Sequence, residues 1–309
     1  MKIAFIGGVE FSHELLSATL SNGWDVSIVF SYEDSKEKHY SDIASFANIT
    51  KKYGIKHVQV DNINDSENVK LLKEINPDLI LVMGWSQLLA KEIIKIPKLG
   101  VIGSHPTELP KYRGRAPIPW TIIKNLKESA LTFFYIDEGV DDGDILDQRK
   151  FALSEKDDAT SIYEIMIDLG KEMLLDNLVC LKDGNAMRRK QNQNEFIENW
   201  PKRTMNDGKI NWCDSTEKIH TLIRATTYPY PGAFTEFKNQ KLIIWKSEFL
   251  NNSITKPYSN PGIIEQINND NILVGTGKGI LRILQISYQG EDEFNKIFST
   301  SDIGTKLGS

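Results

Sequence analysis

The residues able to do chemistry concentrate in one segment, Gly100 to Trp120 (GVIGSHPTELPKYRGRAPIPW), where His105, Lys111, Arg113 and Arg115 sit among four prolines just after an apolar run. Such a composition is poor for a core. Prolines fix φ and remove donors, so the segment is expected to be a rigid loop that presents its polar groups. His105, at the end of the apolar strand, can serve as acid, base or hydrogen-bond donor near neutral pH. The other histidines, His13, His39, His57 and His220, lack comparable company and are read as structural. A second cluster, Asp137-Glu138-Gly139-Val140-Asp141-Asp142-Gly143-Asp144, follows the apolar run Leu131 to Ile136. It lacks the terminal Glu of a calcium loop, and no metal is expected. A solvated acidic turn is one reading of it. The other is a carboxylate set beside His105, where it would fix the ring's tautomer and favour its protonated form. A third candidate is the turn Gly7-Gly8-Val9-Glu10-Phe11-Ser12, whose backbone N–H groups open a helix and can receive an anion; a plain strand-to-helix turn is the alternative. Gly-x-Gly-x-x-Gly and the Walker A pattern are both absent, so dinucleotide and P-loop nucleotide binding are not expected.

Positioning these groups requires a scaffold of alternating elements. Short apolar runs (Lys2 to Ile6, Asp25 to Phe30, His57 to Val60, Asp78 to Met83, Val101 to Ser104, Leu131 to Ile136) predict strands. Between them Ser12 to Leu20, Asp42 to Tyr53, Ser66 to Ile75 and Leu89 to Ile96 carry apolar residues at helical spacing. This alternation predicts an α/β fold with a mostly parallel sheet, because parallel neighbours need helical crossovers. A long helix, Ala159 to Lys182, and a polar connector, Asp183 to Asn199, close a first domain over 1–199. The remainder, 200–309, reads as one helix (Thr216 to Ala225) and short strands at close spacing: Phe234 to Phe237, Lys241 to Glu248, Gly262 to Ile267, Ile272 to Thr276 and Ile280 to Ile286. That texture suggests a small β-barrel.

Composition excludes several classes. The 309 residues include 37 Lys and Arg against 42 Asp and Glu, a formal charge of −5 that gives no global pull towards nucleic acid. Two cysteines, Cys180 and Cys213, are too few for a disulfide scaffold and lack metal-ligand spacing, so a cytoplasmic setting is expected. The opening MKIAFIGG is too short for a signal-peptide core, and no run approaches the about 18 apolar residues of a membrane helix.

The motifs resemble those of the folate-dependent formyltransferases, which include methionyl-tRNA formyltransferase and the sugar N-formyltransferases of bacterial glycan synthesis. The family's Asn-x-His-Pro-Ser-Leu-Leu-Pro-x-x-Arg-Gly stands here as Gly103-Ser104-His105-Pro106-Thr107-Glu108-Leu109-Pro110-Lys111-Tyr112-Arg113-Gly114, and its Asp-x-Gly-Asp as Asp141-Asp142-Gly143-Asp144. Trp200 to Thr204, Asp207 to Trp212, Ile223 to Ala225 and Pro229 to Phe234 extend the likeness over nearly the whole chain. The resemblance implies a Rossmann-like catalytic domain followed by an OB-like barrel, 10-formyltetrahydrofolate as the one-carbon donor, and His105 and Asp141 in catalytic positions. It also places the pterin against Met83 to Leu89 (Trp85, Gln87, Leu88, Leu89) and against Asp137, Glu138, Gly139 and Val140, with Arg115 nearby.

One position departs from the pattern: the family's catalytic Asn is Gly103. Loss of one donor to a developing oxyanion can cost roughly 2.7 to 4 kcal/mol of barrier. Ser104 should face away from the side shared by 103 and 105. A water in the glycine's space or Gln87 could replace the amide; a modified subgroup, an impaired enzyme and an engineered variant all fit. The expected reaction is attack of a neutral amine on the formyl carbon, without a covalent enzyme intermediate. A UDP- or dTDP-linked 4-amino-4,6-dideoxy sugar is the favoured acceptor. Gly8, Val9, Glu10, Phe11, Ser12, Lys111 and Arg113 would contact it. Methionyl-tRNA is the second acceptor, water (a formyltetrahydrofolate hydrolase) the third, and a folate-binding protein without turnover the non-enzymatic alternative. A homodimer stays open.

Overall fold

The computed structural model describes residues 1–33, 42–249 and 260–308; His39 lies outside them. In chain order the first elements are β1 (Lys2–Gly7), α1 (Glu10–Ser21), β2 (Asp25–Tyr32), α2 (Ala47–Tyr53), β3 (Lys56–Val60), α3 (Ser66–Ile75), β4 (Leu79–Met83), α4 (Lys91–Ile94) and β5 (Val101–His105). They are followed by β6 (Tyr112–Gly114), α5 (Pro117–Ile123), β7 (Glu128–Tyr135), β8 (Ile145–Ala152), α6 (Ala159–Lys182) and β9 (Glu198–Trp200). The last are α7 (Thr216–Thr226), β10 (Ala233–Phe237), β11 (Gln240–Phe249), β12 (Ile264–Ile267), β13 (Ile272–Thr276), β14 (Gly279–Tyr288) and α8 (Phe294–Ile297). The chain forms two units, one of Met1–Pro117, Lys127–Leu153 and Tyr163–Pro201, the other of Ile118–Leu126, Ser154–Ile162 and Lys202–Ser309.

The N-terminal unit is built on a seven-stranded sheet of order β3-β2-β1-β4-β5-β7-β8. Pairing is parallel from β3 to β5 and antiparallel through β7 and β8. β1 and β4 lie in the middle because their unbroken apolar runs bury both faces: Ile3, Phe5, Ile6, Leu79, Ile80, Leu81 and Met83 are fully enclosed. The order reverses between β1 and β4, so the turns after these strands and after β5 share the edge where such sheets bind ligands. The polar stretch 183–199 is not a plain connector. Arg189 exchanges two backbone hydrogen bonds with Ile145, and β9 pairs in parallel with β6, returning the chain to the loop that follows His105.

The C-terminal unit holds a five-stranded antiparallel sheet of order β10-β11-β14-β13-β12. The short strands expected from the sequence form this sheet, with β10 and β12 at its ends, and no ladder closes it into a barrel among the described residues. Ile219 and Ile223 of α7 pack with Leu242, Ile244, Leu281 and Ile283 in one core cluster. No described helix is long and apolar enough to cross a membrane.

His220 of α7 makes this unit sensitive to pH. Its Nδ1 lies 2.9 Å from Ser247 Oγ and its ring packs 4.5 Å from that of Phe249. Burial, helped by the Arg224 charge and opposed by Glu248, pushes the imidazole down to about 4. A depressed histidine stabilises the fold above its unfolded value, and that contribution is lost as pH falls from about 6.5 towards 4 because the unfolded chain takes up the proton first. The loss at pH 5 is on the order of 1–2 kcal/mol, after discounting for the ring's partial exposure. Thermal melts of the parent and His220→Gln should therefore show the parent losing more stability between pH 7 and pH 5; parallel curves would refute the assignment.

Candidate active site

β5 is hydrogen-bonded to β4 on one side and to β7 on the other, which fixes His105 at its last position, opposite Thr132. The imidazole is 5% exposed, and its Nε2 lies 3.0 Å from the Tyr112 carbonyl. A carbonyl only accepts, so Nε2 carries the proton in this contact and Nδ1 is the nitrogen left to meet other groups. Asp141 Oδ2 stands 3.7 Å from that Nδ1. The separation is too long for a hydrogen bond and lies within ion-pair range for a protonated ring. Asp141 adopts a left-handed backbone (φ 53°), and its carboxylate accepts the Gly114 N–H at 3.1 Å. Gly114 has φ 103°, and a Cβ there would run into the Trp200 carbonyl, so no other residue fits between β6 and β9. Thr107 Oγ1 also donates to the Tyr112 carbonyl at 2.5 Å, and Thr132 Oγ1 donates to Thr107 O at 2.6 Å. The proline-rich segment is thus a held loop with Tyr112 at its turning point. Tyr112 and Gly114 act through main-chain atoms, for which residue type carries little signal.

Gly103 lies two positions before His105 on the same strand face. A Cβ built on it falls 2.9 Å from Ile136 Cδ1, 3.0 Å from Ile136 Cγ1 and 3.3 Å from Phe134 Cε1. The expected room for a water is therefore filled by the Ile136 side chain. Gln87 does not supply the missing amide either: its Nε2 donates to Asp61 O at 2.6 Å and its Oε1 accepts the Ile63 N–H at 3.0 Å. Ser104 is paired with Phe133 in an unbroken strand, which directs its side chain to the opposite face.

The two loops expected to hold the pterin belong to the same unit. Trp85 stacks on Tyr32 (3.9 Å between rings, 8° between planes), and the Tyr32 hydroxyl accepts the Ser86 N–H at 2.9 Å. Gly8 is required here, because any Cβ on it would enter the Tyr32 ring. The buried Trp85 Nε1 has no hydrogen-bond partner among the described residues. Trp85 and Leu89 rest against the sheet core, while Leu88 is 68% exposed. Opposite, Val140 is 53% exposed, and Asp137, Glu138 and Gly139 are also at the surface. Lys91 Nζ, just beyond the first loop, meets Glu138 Oε2 of the second at 2.6 Å. A donor without an acceptor and exposed apolar side chains on both loops suit a flat heteroaromatic ring with polar edges. Arg115 donates its N–H to Trp200 O, and its side chain is exposed.

The residues assigned to the acceptor have partners of their own. Val9 N–H donates to Ser12 Oγ, Glu10 N–H to Asp42 O, and Phe11 N–H to the Tyr163 hydroxyl. That hydroxyl in turn donates to Asp42 Oδ2 at 2.9 Å, and burial raises the Asp42 carboxyl above its ordinary range. Lys111 pairs with Glu108 at 2.9 Å, and Arg113 donates to Gln191 and Gln193.

The site thus sets an imidazole at the end of β5 beside a carboxylate from the turn between β7 and β8, on the ligand edge of a mostly parallel sheet. Residues 1–178 match the formyl transferase family model and residues 202–296 match that of the formyl transferase C-terminal domain, and this chain belongs to the formyl transferase family. The methionyl-tRNA formyltransferase of Caldanaerobacter subterraneus is 35% identical over 94% of this chain and 93% of its own length. Among solved structures, WlaRD, a sugar 3N-formyltransferase crystallised with dTDP and 5-N-formyl-THF, shares the fold with TM-score 0.65 and 21% identity over 94% of this chain and 98% of WlaRD. HypX from Aquifex aeolicus in complex with tetrahydrofolic acid gives TM-score 0.68 and 18% identity over 95% of this chain; the match spans only 45% of HypX.

Proposed function

We propose that this enzyme transfers the formyl group of 10-formyltetrahydrofolate to the amine of a UDP- or dTDP-linked amino sugar. The observation that carries the transfer is the gap between His105 Nδ1 and Asp141 Oδ2, 3.7 Å wide. Trp85, Gln87, Leu88 and Leu89 on one side, and Asp137 to Val140 on the other, would hold the pterin of the folate, with Arg115 nearby. Bound there, the folate supplies an activated formyl carbon. Asp141 accepts a proton from the incoming ammonium, which is nucleophilic only when neutral. In its protonated form His105, anchored through Nε2, donates from Nδ1–H to the oxygen on which charge develops, passes that proton to the departing folate nitrogen and recovers one from the amine nitrogen as the new amide forms. Without an Asn at 103 the imidazole carries more of that stabilisation.

The acceptor is argued from charge. In the C-terminal unit Lys209, Lys218, Lys238, Arg282 and Lys296 each have a carboxylate oxygen within 3.0 Å. Cations already paired in this way are poorly placed to gather tRNA phosphates, on which such binding depends. The 35% identity to a methionyl-tRNA formyltransferase favours methionyl-tRNA as the second acceptor. Incubation with 10-formyltetrahydrofolate and each acceptor class, followed by mass spectrometry, tests the assignment. A formylated nucleotide sugar is the expected product. Formyl-methionyl-tRNA formed at a rate that falls steeply with salt would replace the sugar by tRNA, and folate binding without any product would remove the catalytic reading.

A further inference from the structure

We infer that Gln191 is a positioning residue for this reaction, holding the Asp141 turn so that its carboxylate stands beside His105; the inference rests on the catalytic reading above. Gln191 is 8% exposed, and both ends of its amide are engaged. Nε2 donates to the main-chain oxygens of Asp141 and Gly143, each at 2.8 Å, and Oε1 accepts from Arg113 Nη2 at 2.7 Å. An amide nitrogen has two hydrogens, so this one is saturated by the turn. The turn needs such support. Asp141 is left-handed, a conformation that costs a residue with a side chain, and a Cβ on Gly143 would strike the Tyr135 carbonyl.

The position of Arg113 gives the contact its reach. β6 carries Tyr112, whose carbonyl holds His105 Nε2, and Gly114, whose N–H holds the Asp141 carboxylate. Arg113 lies between them and is joined to the Asp141 main chain through Gln191 alone among the described contacts. One side chain therefore ties together the two walls that set the 3.7 Å gap. Gln191 reaches this place because Arg189 pairs with Ile145, at 2.9 and 2.7 Å.

The test compares the parent with Asp141→Asn and Gln191→Met, the latter close in length and without amide donors. The Gly114 N–H is held by the Asp141 carboxylate, so Asp141→Asn should move the Gly114 amide proton upfield in the NMR spectrum. Gln191→Met should move it in the same direction. Its turnover should fall roughly 10–100-fold with the folate KM within about twofold, and the loss should largely disappear in the Asp141→Asn background. A Gly114 amide proton unmoved in a folded Gln191→Met protein overturns the proposal, as does a loss fully additive with Asp141→Asn. Where Gln191→Met does not fold, Gln191→Glu, which keeps the shape and the Arg113 contact without the amide donors, is read by the same criteria. A parent that formylates no amine sinks the functional reading instead, and the Gly114 amide proton then still decides whether Gln191 sets the geometry.

Discussion

His105→Ala is expected to cut formyl transfer by roughly 10²–10⁴-fold while the protein stays folded. The chemical loss is large because Nδ1 is the free nitrogen of a ring fixed through Nε2, and no neighbouring group replaces it. The structural loss is moderate. Thr107 Oγ1 still donates to the Tyr112 carbonyl once the imidazole is gone, so that acceptor is not orphaned, and the lost contact together with the space left by a buried ring costs about 2–3 kcal/mol. Asp141→Asn should cut transfer by a similar factor. Asparagine tolerates the left-handed backbone at 141, and its amide oxygen can still accept the Gly114 N–H, so the change removes charge and basicity while keeping the turn. Single-turnover rates and melting curves on the same preparations check both variants. A His105→Ala protein that transfers formyl at the parental rate refutes the assignment.

The second large effect is expected from Gly103→Asn, the change that writes the family's own residue into the site. A side chain at 103 starts 2.9 Å from Ile136 Cδ1, and its carboxamide would extend into an apolar wall made by Ile136 and Phe134. Overpacking and an unpartnered buried amide together cost about 2–4 kcal/mol. Stability and turnover should both fall. Ile136→Ala removes the obstruction, so the double variant should be more stable than the two single losses predict, a coupling expected of residues in contact. Denaturation curves of the four proteins measure it. Gly103→Asn melting with the parent would show that the wall yields freely, and additive losses would show that Ile136 is not what excludes the amide.

The sheet was legible where burial is complete. IAFI and LILVM are apolar throughout, and such runs have few alternatives to a central strand. β8 escaped because ILDQRKFA is an edge strand, partly exposed from Asp147 onwards, and its polar residues hide the alternation. The β6 and β9 pairing joins Tyr112 to Glu198, and two three-residue strands leave no periodicity to read. α5 looked like loop because of Pro117 and Pro119, yet proline is well suited to a first helical turn. α2 begins at Ala47, later than the apolar pattern from Asp42 suggested. In the site, His105 and Asp141 stand out by residue type and by their places after strands. Ile136 and Gln191 do not. One acts by filling volume, the other by meeting carbonyls about fifty positions away, and neither property belongs to a local pattern.

The Tyr163 hydroxyl accepts from Phe11 and donates to Asp42, so a phenol already sits where the start of α1 would draw a phosphate oxygen. A diphosphate arriving at that helix must displace a tethered surrogate before it gains anything. Tyr163→Phe would unmask the helix for anions and strand the acid behind it, trading a sealed entrance for a receptive one.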